Sequence, residues 1–350
     1  MKEIAYKTFS LKTHQKNLHF DKPSVCQFEL TFRCPLHCRH CYTDCYNQAA
    51  YFKKELNTKQ AKIILDKIHK AGVLWLCLTG GDPLARSDFS KIYLYAKEKG
   101  FMVTLFTSGF YLGPETIGVL KKSPPFVVEI TLNAVSEELY EKIAQTKGSF
   151  SRVMKGIHLL LENRIPLKLK TMVTKDNFAQ LPKIEEFVKR LGLEFQPDPI
   201  INPRLSGDIT PCDLRVPPEE LFALNKETRE REGGQESRRC ENPFYPCAID
   251  GGSGFFVDPQ GNLISCCLNR YHKINLLEID VELAREESLS ALRSKKFLRQ
   301  APCKSCELLS SCFWCPSRAY LEKADSEAPI EYYCRLAELN SHANRETVIS

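Results

Sequence analysis

Between residues 25 and 200, short apolar runs alternate with segments in which apolar residues recur every three or four positions. The runs are 25–31, 73–79, 101–106, 126–132, 167–173 and 193–196, and their length and β-branched content predict strands. The first intervening segment places Ala61, Ile64, Leu65, Ile68 and Ala71 on one helical face, with Thr58 as its N-cap and Gly72 just past its end. A second uses Phe89, Ile92, Tyr93 and Ala96 and closes at Gly100; a third starts near Pro114. A fourth joins Val153, Ile157, Leu160 and Leu161, and a fifth Leu181, Ile184, Phe187 and Val188. Six strand-then-helix units predict an α/β fold with a parallel sheet, because each crossover helix returns the chain to the same edge. Six units can curl into a partial (β/α)6 TIM-like barrel, with ligands at the carboxyl ends of the strands.

The pattern changes after residue 200. Pro203, Pro211, Pro217 and Pro218 interrupt it, and the stretch EREGGQESRR reads as an exposed loop. Beyond it the period is lost, apart from a hairpin in which residues 255–257 and 263–265 flank the turn Asp258, Pro259, Gln260, Gly261. The expected organisation is an N-terminal extension (1–23), a barrel (24–205), a linker (206–239) and a small cysteine-rich α+β domain (240–345). No repeat of 20 to 50 residues is present.

Composition narrows the function classes. A net charge of +6 over 49 basic and 43 acidic residues, without runs of like charge, describes a solvated surface rather than a nucleic-acid footprint. The first residues lack the apolar core of a signal peptide, and the longest apolar stretch, 73–78, is too short to cross a bilayer. A cytoplasmic protein is expected, without membrane partners. Its sixteen cysteines are then poor candidates for a disulfide framework and better ones for metal ligation.

Cys34, Cys38 and Cys41, with three and then two residues between them, follow the first strand. A four-iron cluster takes one thiolate per iron, so three ligands leave one iron with an open position. The alternative is a zinc site, with His37, His40 or Cys45 as a fourth donor. Directly after the second strand come Gly80, Gly81, Asp82 and Pro83. Two glycines at a strand end let backbone approach a ligand closely.

These two motifs together resemble the radical S-adenosylmethionine (SAM) superfamily. In that family SAM binds the open iron through its amino and carboxylate groups. Its reductive cleavage gives methionine and a 5′-deoxyadenosyl radical that abstracts hydrogen from the substrate. The resemblance implies that Cys34, Cys38 and Cys41 hold a [4Fe-4S] cluster, and that backbone at Gly80, Gly81 and Asp82, before Pro83, receives the SAM amino group. It also sets His40 and Tyr42 near the adenine, and Thr131 and Asn133 at the ribose and methionine. Two residues depart from the family pattern: Asp82 stands where Glu is more usual, and His40 where an aromatic is usual.

The carboxyl-terminal cysteines resemble the SPASM domain, which binds auxiliary four-iron clusters in radical SAM enzymes that modify peptides and proteins. Cys247, thirteen residues, Gly261, four residues and Cys266 precede Cys303, Cys306, Cys312, Cys315 and Cys334. A zinc ribbon would separate its knuckles by roughly 15 to 20 residues, whereas five lie between Cys306 and Cys312. The resemblance implies one auxiliary cluster on Cys303, Cys306, Cys312 and Cys334. A second would use Cys247, Cys266 and Cys315, with Cys240 as a candidate fourth ligand and Cys267 as a rival. Two residues separate Cys312 from Cys315 where the family usually has three.

Cys26 and Cys77 sit inside strand runs and read as small buried hydrophobes. Cys45 and Cys212 fall in loops, where either could return a hydrogen atom to a substrate radical; Arg152 and Arg204 read as surface residues that could pair with carboxylates. The expected activity is hydrogen abstraction from a peptide or protein side chain with net oxidation, such as a crosslink or dehydrogenation. Flavodoxin or ferredoxin would supply electrons. With about 25 residues before the first strand, a fused leader-binding domain has no room, so peptide capture is expected to need a separate leader-peptide-binding protein or the SPASM surface. The alternatives are a small-molecule substrate in cofactor or haem biosynthesis, and a zinc-binding nucleic-acid or scaffold protein.

Overall fold

The structure, a computed structural model, describes residues 6–19, 22–223, 244, 254–309 and 312–349. Six parallel strands, β1 (Val25–Thr31), β2 (Trp75–Gly80), β3 (Met102–Thr107), β4 (Val127–Thr131), β5 (Leu167–Met172) and β6 (Phe195–Asp198), pair in sequence order. The strands β7 (Gly254–Val257), β8 (Asn262–Ile264) and β9 (Ile274–Asn275) extend the same sheet from its β1 side. β7 pairs parallel with β1, whereas β7–β8 and β8–β9 are antiparallel. The anticipated hairpin is therefore present, and its turn is organised by Asp258, whose Oδ1 accepts from the backbone of Gln260 (2.9 Å) and Asn262 (3.0 Å).

Helix α1 (Tyr6–His19) precedes the sheet. The crossovers carry α2 (Thr58–Lys70), α3 (Phe89–Glu98), α4 (Pro114–Lys122), α5 (Glu137–Ala144), α6 (Ser149–Glu162) and α7 (Leu181–Arg190). Alternate strand residues, Phe28, Leu30, Leu76, Leu78, Val103, Leu105, Val128 and Ile130, are fully buried in one core with Ile64, Ile92, Leu120, Ile157 and Ile184 of the helices. A strand's period of two then sends Gln27, Glu29, Thr79, Thr104, Phe106, Glu129, Thr131, Lys170 and Gln196 to the opposite, inner face. At the amino-terminal end of that face α1 acts as a plug: Trp75 Nε1 donates to Tyr6 Oη (3.0 Å), and His14 stacks on Trp75 at 4.3 Å. The carboxyl ends stay free for a site.

Three expectations need correction. The N-cap of α2 is Asn57, which exchanges side-chain and backbone hydrogen bonds with Gln60, because the Thr58 hydroxyl donates instead to Asp88 (2.6 Å). Helix α5 was not anticipated. The region after the hairpin is not aperiodic: it forms α8 (Val281–Arg293), α9 (Pro316–Lys323) and α10 (Glu331–Ile349). The buried face of α8 includes Arg285 and Ser288, so no apolar stripe marks it.

β1 and β2 converge at their carboxyl ends. Gly80, at φ +136°, and Gly81 lie flat against the backbone beyond β1, where a Cβ on Gly80 would stand 2.2 Å from the Thr31 oxygen and one on Gly81 2.5 Å from the Arg33 oxygen. Gly81 N–H donates to Thr31 O and Asp82 N–H to Arg33 O, both at 2.7 Å. Gly118, on the exposed side of α4, has nothing within 4 Å. Chemical denaturation should therefore separate two Gly→Ala variants. Gly80→Ala should lose more than about 2 kcal/mol, whereas Gly118→Ala should gain roughly 0.5–1 kcal/mol. A neutral Gly80→Ala would contradict this packing.

Candidate functional site

Cys34 begins a loop that the surrounding structure pins from several sides. Asn47 clamps its backbone, accepting from Cys34 N–H at 3.2 Å and donating to Cys34 O at 3.0 Å. His37 N–H and Arg39 N–H each donate at 3.0 Å to carbonyls at the end of α5, Ala144 and Ile143. Asp44 pairs with His37 (3.0 Å) and Arg204 (3.3 Å), and Asp176 pairs with Arg39 and with Lys142 (3.1 Å). Arg204, read as a surface residue, is thus part of the loop's support.

Within this loop the three thiols are half-buried and within electrostatic reach of one another. Burial, then Asp82 and the other two thiols, pushes Cys34 well above its ordinary range. Burial and Cys41 do the same to Cys38. Cys41 is raised by burial against the opposing Thr43 hydroxyl, 3.4 Å from its sulfur. Thiols so disposed stay protonated alone and gain most from a cationic centre that takes them as thiolates. Among the described residues no three His, Cys, Asp or Glu side chains close on a single metal ion.

The Gly80–Pro83 turn stands beside this loop. Since the N–H groups of Gly81 and Asp82 are already donated, carbonyls are what the turn can offer an incoming ammonium group. The Asp82 carboxyl, fully buried, is directed at β3: Oδ1 accepts from Thr107 Oγ1 (2.8 Å) and Leu84 N–H (3.0 Å), and Oδ2 from Ser108 N–H (3.1 Å) and Oγ (2.5 Å). Burial nonetheless raises its pKa above the usual carboxylate value. Pro83 starts the helical turn that follows. Thr131 lies half-buried at the end of β4, in register with Lys170. Asn133 is buried, its Oδ1 accepting from Met172 N–H (3.0 Å), so its side chain joins β4 to β5. Burial lowers His40 to about 4 and leaves its Nδ1 without a hydrogen-bond partner among the described residues.

Several neighbours escaped the sequence reading. Tyr140 on α5 is buried, and Cys38, Cys34 and Asp82 add to the burial that raises its phenol; Tyr111 is raised by burial, then Asp82 and Cys34. Arg152 stacks on Phe110, 4.7 Å from the ring centroid. On the inner face Glu129 pairs with Lys170 at 2.5 Å, and the Lys170 ammonium stands 4.2 Å from the Phe106 centroid. Cys77 faces this pair rather than the helical core, unlike Cys26. Glu29 holds Arg270 through two bonds of 2.6 and 2.8 Å. Strand alternation could have signalled Glu29, Phe106, Glu129 and Lys170, whereas Tyr111, Tyr140 and Arg270 lie outside the strands and carry no such signal; Cys77 and Arg152 were read in the sequence, without these partners.

The carboxyl-terminal cysteines fall into two groups. Cys303 is pushed up to about 12 by burial and then by Cys334, Cys312 and Cys306, which places those four together; burial also raises Cys312, to about 11. Cys315 caps α9, its sulfur accepting from Arg318 N–H (3.4 Å), with Cys266 nearby. Cys266 is drawn down to about 6 by a hydrogen bond from Cys267, and its sulfur also accepts from Leu268 N–H at 3.4 Å. Cys267 is held protonated by the same contact and faces Glu29 and Arg270. Cys240 and Cys247 lie outside the described residues. Of the loop cysteines, Cys45 Sγ lies 3.8 Å from Tyr42 O, and Cys212 Sγ 3.9 Å from Glu322.

Among the described residues, no helix is long and apolar enough to cross a membrane. The chain is 26% identical over 332 residues to an AdoMet-dependent heme synthase of Methanosarcina barkeri, covering 87% of this chain and 94% of that protein. It is also 26% identical over 345 residues to a PqqA peptide cyclase of Bradyrhizobium diazoefficiens, covering 92% and 88%. The crystal structure of Streptococcus suis SuiB bound to S-adenosylmethionine shares the fold, with a TM-score of 0.69 at 16% identity, covering 95% of this chain and 84% of that one. Residues 28–188 match the Radical SAM superfamily, a span that holds the three-thiol loop, the glycine turn, most of β1 and all of β2 to β5, so this part of the chain is a radical SAM domain and the protein a SAM-dependent enzyme.

Proposed function

We propose that this enzyme oxidises a side chain of a peptide or protein, in the manner of a peptide maturase. The observation that carries the reading is the inner face of the barrel below the thiol loop. Beside the apolar Phe106 and Cys77, its residues Gln27, Glu29, Thr79, Thr104, Glu129 and Lys170 are polar or charged, which suits the amide groups of a polypeptide segment better than an apolar macrocycle. The similarity to a protein named PqqA peptide cyclase, over most of both chains, supports it.

On this reading Cys34, Cys38 and Cys41 hold a [4Fe-4S] cluster and its SAM, which together supply reductive cleavage and hydrogen-atom abstraction. The Gly80–Asp82 carbonyls accept the SAM ammonium, Thr131 reaches the nucleoside side, and neutral His40 and Tyr42 border the adenine. Asp82 and Asn133 act through backbone placement. Residues 24–205 serve as the catalytic barrel and 240–345 as the SPASM part. There Cys303, Cys306, Cys312 and Cys334 hold one auxiliary cluster; Cys266 and Cys315, with Cys247 and Cys240, hold the other. Clusters held by these thiols would supply an acceptor for the electron left when the substrate loses a hydrogen atom and then a proton, for a net two-electron oxidation. A flavodoxin or ferredoxin supplies the initiating electron, and a separate protein delivers the peptide. Haem-type chemistry is the second reading, favoured by the equal similarity to the heme synthase.

Incubation of anaerobically iron-loaded protein with SAM and dithionite should release 5′-deoxyadenosine. Short peptides encoded beside the gene should accelerate that release and lose two hydrogens by mass spectrometry; acceleration by iron-coproporphyrin instead would favour the second reading. Substituting Cys34, Cys38 and Cys41 together by Ala should abolish 5′-deoxyadenosine and remove about four irons per chain while the remaining iron stays. Cys266→Ser should lower the iron content, whereas Cys267→Ser should leave it unchanged. Equal iron loss in both variants would overturn the assignment of Cys266 as the ligand.

A further inference from the structure

Arg270 and Glu29 form a fully desolvated ion pair that joins β1 to the loop after β8. Their side chains are 8% and 5% exposed. Both guanidinium NH₂ groups bond the two carboxylate oxygens, and the remaining Nε donates to Cys267 O at 3.0 Å. Three of the five guanidinium N–H donors of Arg270 are thus used, on Glu29 and on the Cys267 carbonyl, which fixes the plane of the guanidinium. A pair of this kind is weak evidence for stability, since apolar residues of similar size usually serve a core as well or better; what it adds is a fixed geometry.

The geometry in question joins two thiol groups. On one side Glu29 lies on the inner face of β1, five residues before Cys34, and Tyr42, next to Cys41, is buried among Cys267, Glu29 and Arg270. On the other side Arg270 grips the carbonyl of Cys267 in a tight turn. That turn is closed by Asn269 N–H on Cys266 O (3.1 Å) and Leu268 N–H on the Cys266 sulfur (3.4 Å). Other cross-links hold the hairpin and helices rather than the Cys266–Cys267 turn: β7 pairs with β1 as far as Phe28–Val257, Leu56 N–H donates to Pro259 O (2.8 Å), Lys70–Asp280 is solvent-facing, and Arg215–Glu322 ties the 200–216 segment to α9.

We propose that the Arg270–Glu29 pair is a positioning device that holds the Cys266–Cys267 turn against the Cys34–Cys41 loop and so fixes the relation between the two thiol groups. This rests on the reading that both groups bind iron. Arg270 and Glu29 are positioning residues, acting through Cys267 and Tyr42 rather than on a substrate.

The test compares wild type, Arg270→Lys and the apolar double variant Glu29→Met/Arg270→Met, all iron-loaded anaerobically. The double variant should unfold within about 4 °C of wild type, because no charge is left unpaired. Pulsed EPR of the reduced proteins should nevertheless show the distance between the amino-terminal centre and the Cys266 centre, one of up to three in wild type, spread into a broad distribution, with Arg270→Lys between the two. In iron-free protein, alkylation of Cys267 should become about tenfold faster in the double variant, as expected for freer local opening. An unchanged interspin distance and unchanged alkylation in the double variant would overturn the proposal. So would a large loss of thermal stability with no change in either readout, the mark of a merely structural pair. A wild-type protein with one paramagnetic centre would refute the two-site reading itself, before any variant is made.

Discussion

The structure depends on a contact between two stretches of backbone that no side chain could share. Gly80 and Gly81 lie against Thr31–Arg33 at distances a Cβ would forbid, and two 2.7 Å hydrogen bonds seal the contact. Because β1 and β2 are neighbours in a parallel sheet, both chains leave it at the same rim. The contact brings the three-thiol loop and the carbonyls of the glycine turn side by side. Asp82 carries the arrangement one strand further, to Thr107 and Ser108 at the end of β3. The helices behind the sheet supply the apolar burial that keeps these strand ends in register.

Around that contact, the placement of charge divides the molecule by task. The three thiols are half-buried where partial desolvation makes a bare thiolate costly, so their environment favours ligation over free nucleophilic reactivity. Their loop is held by ion pairs at its rim, Asp44 with His37 and Arg204, and Asp176 with Arg39 and Lys142. The inner face of the barrel keeps its charges in pairs, Glu29 with Arg270 and Glu129 with Lys170. A substrate entering there meets fixed dipoles and few unpaired charges, which suits a reaction whose reactive species must be shielded from water.

Much of this was legible in the sequence. All six barrel strands follow from short apolar runs and five of their helices from a helical apolar period, because each helix buries one face against the sheet. The thiol spacing and the glycine pair were legible as motifs. Their physical reason was not: the glycines seemed to make room for a ligand, and they chiefly make room for β1. The other gaps have the same origin. The buried face of α8 contains Arg285 and Ser288, so it carries no readable stripe. The differing roles of Cys266 and Cys267 depend on which way two adjacent side chains turn, and the Arg270–Glu29 pair joins residues far apart in the chain. Long-range pairing of polar groups leaves no local signature.

The central claim is that the three-thiol loop holds its cluster one protein donor short, and that SAM completes it through its amino and carboxylate groups. Electron–nuclear double resonance on the reduced, fully iron-loaded protein tests this directly, with SAM labelled by nitrogen-15 at the amino group and oxygen-17 at the carboxylate. The account predicts hyperfine coupling from both labels to the amino-terminal cluster. A spectrum that is the same with labelled and unlabelled SAM would contradict it.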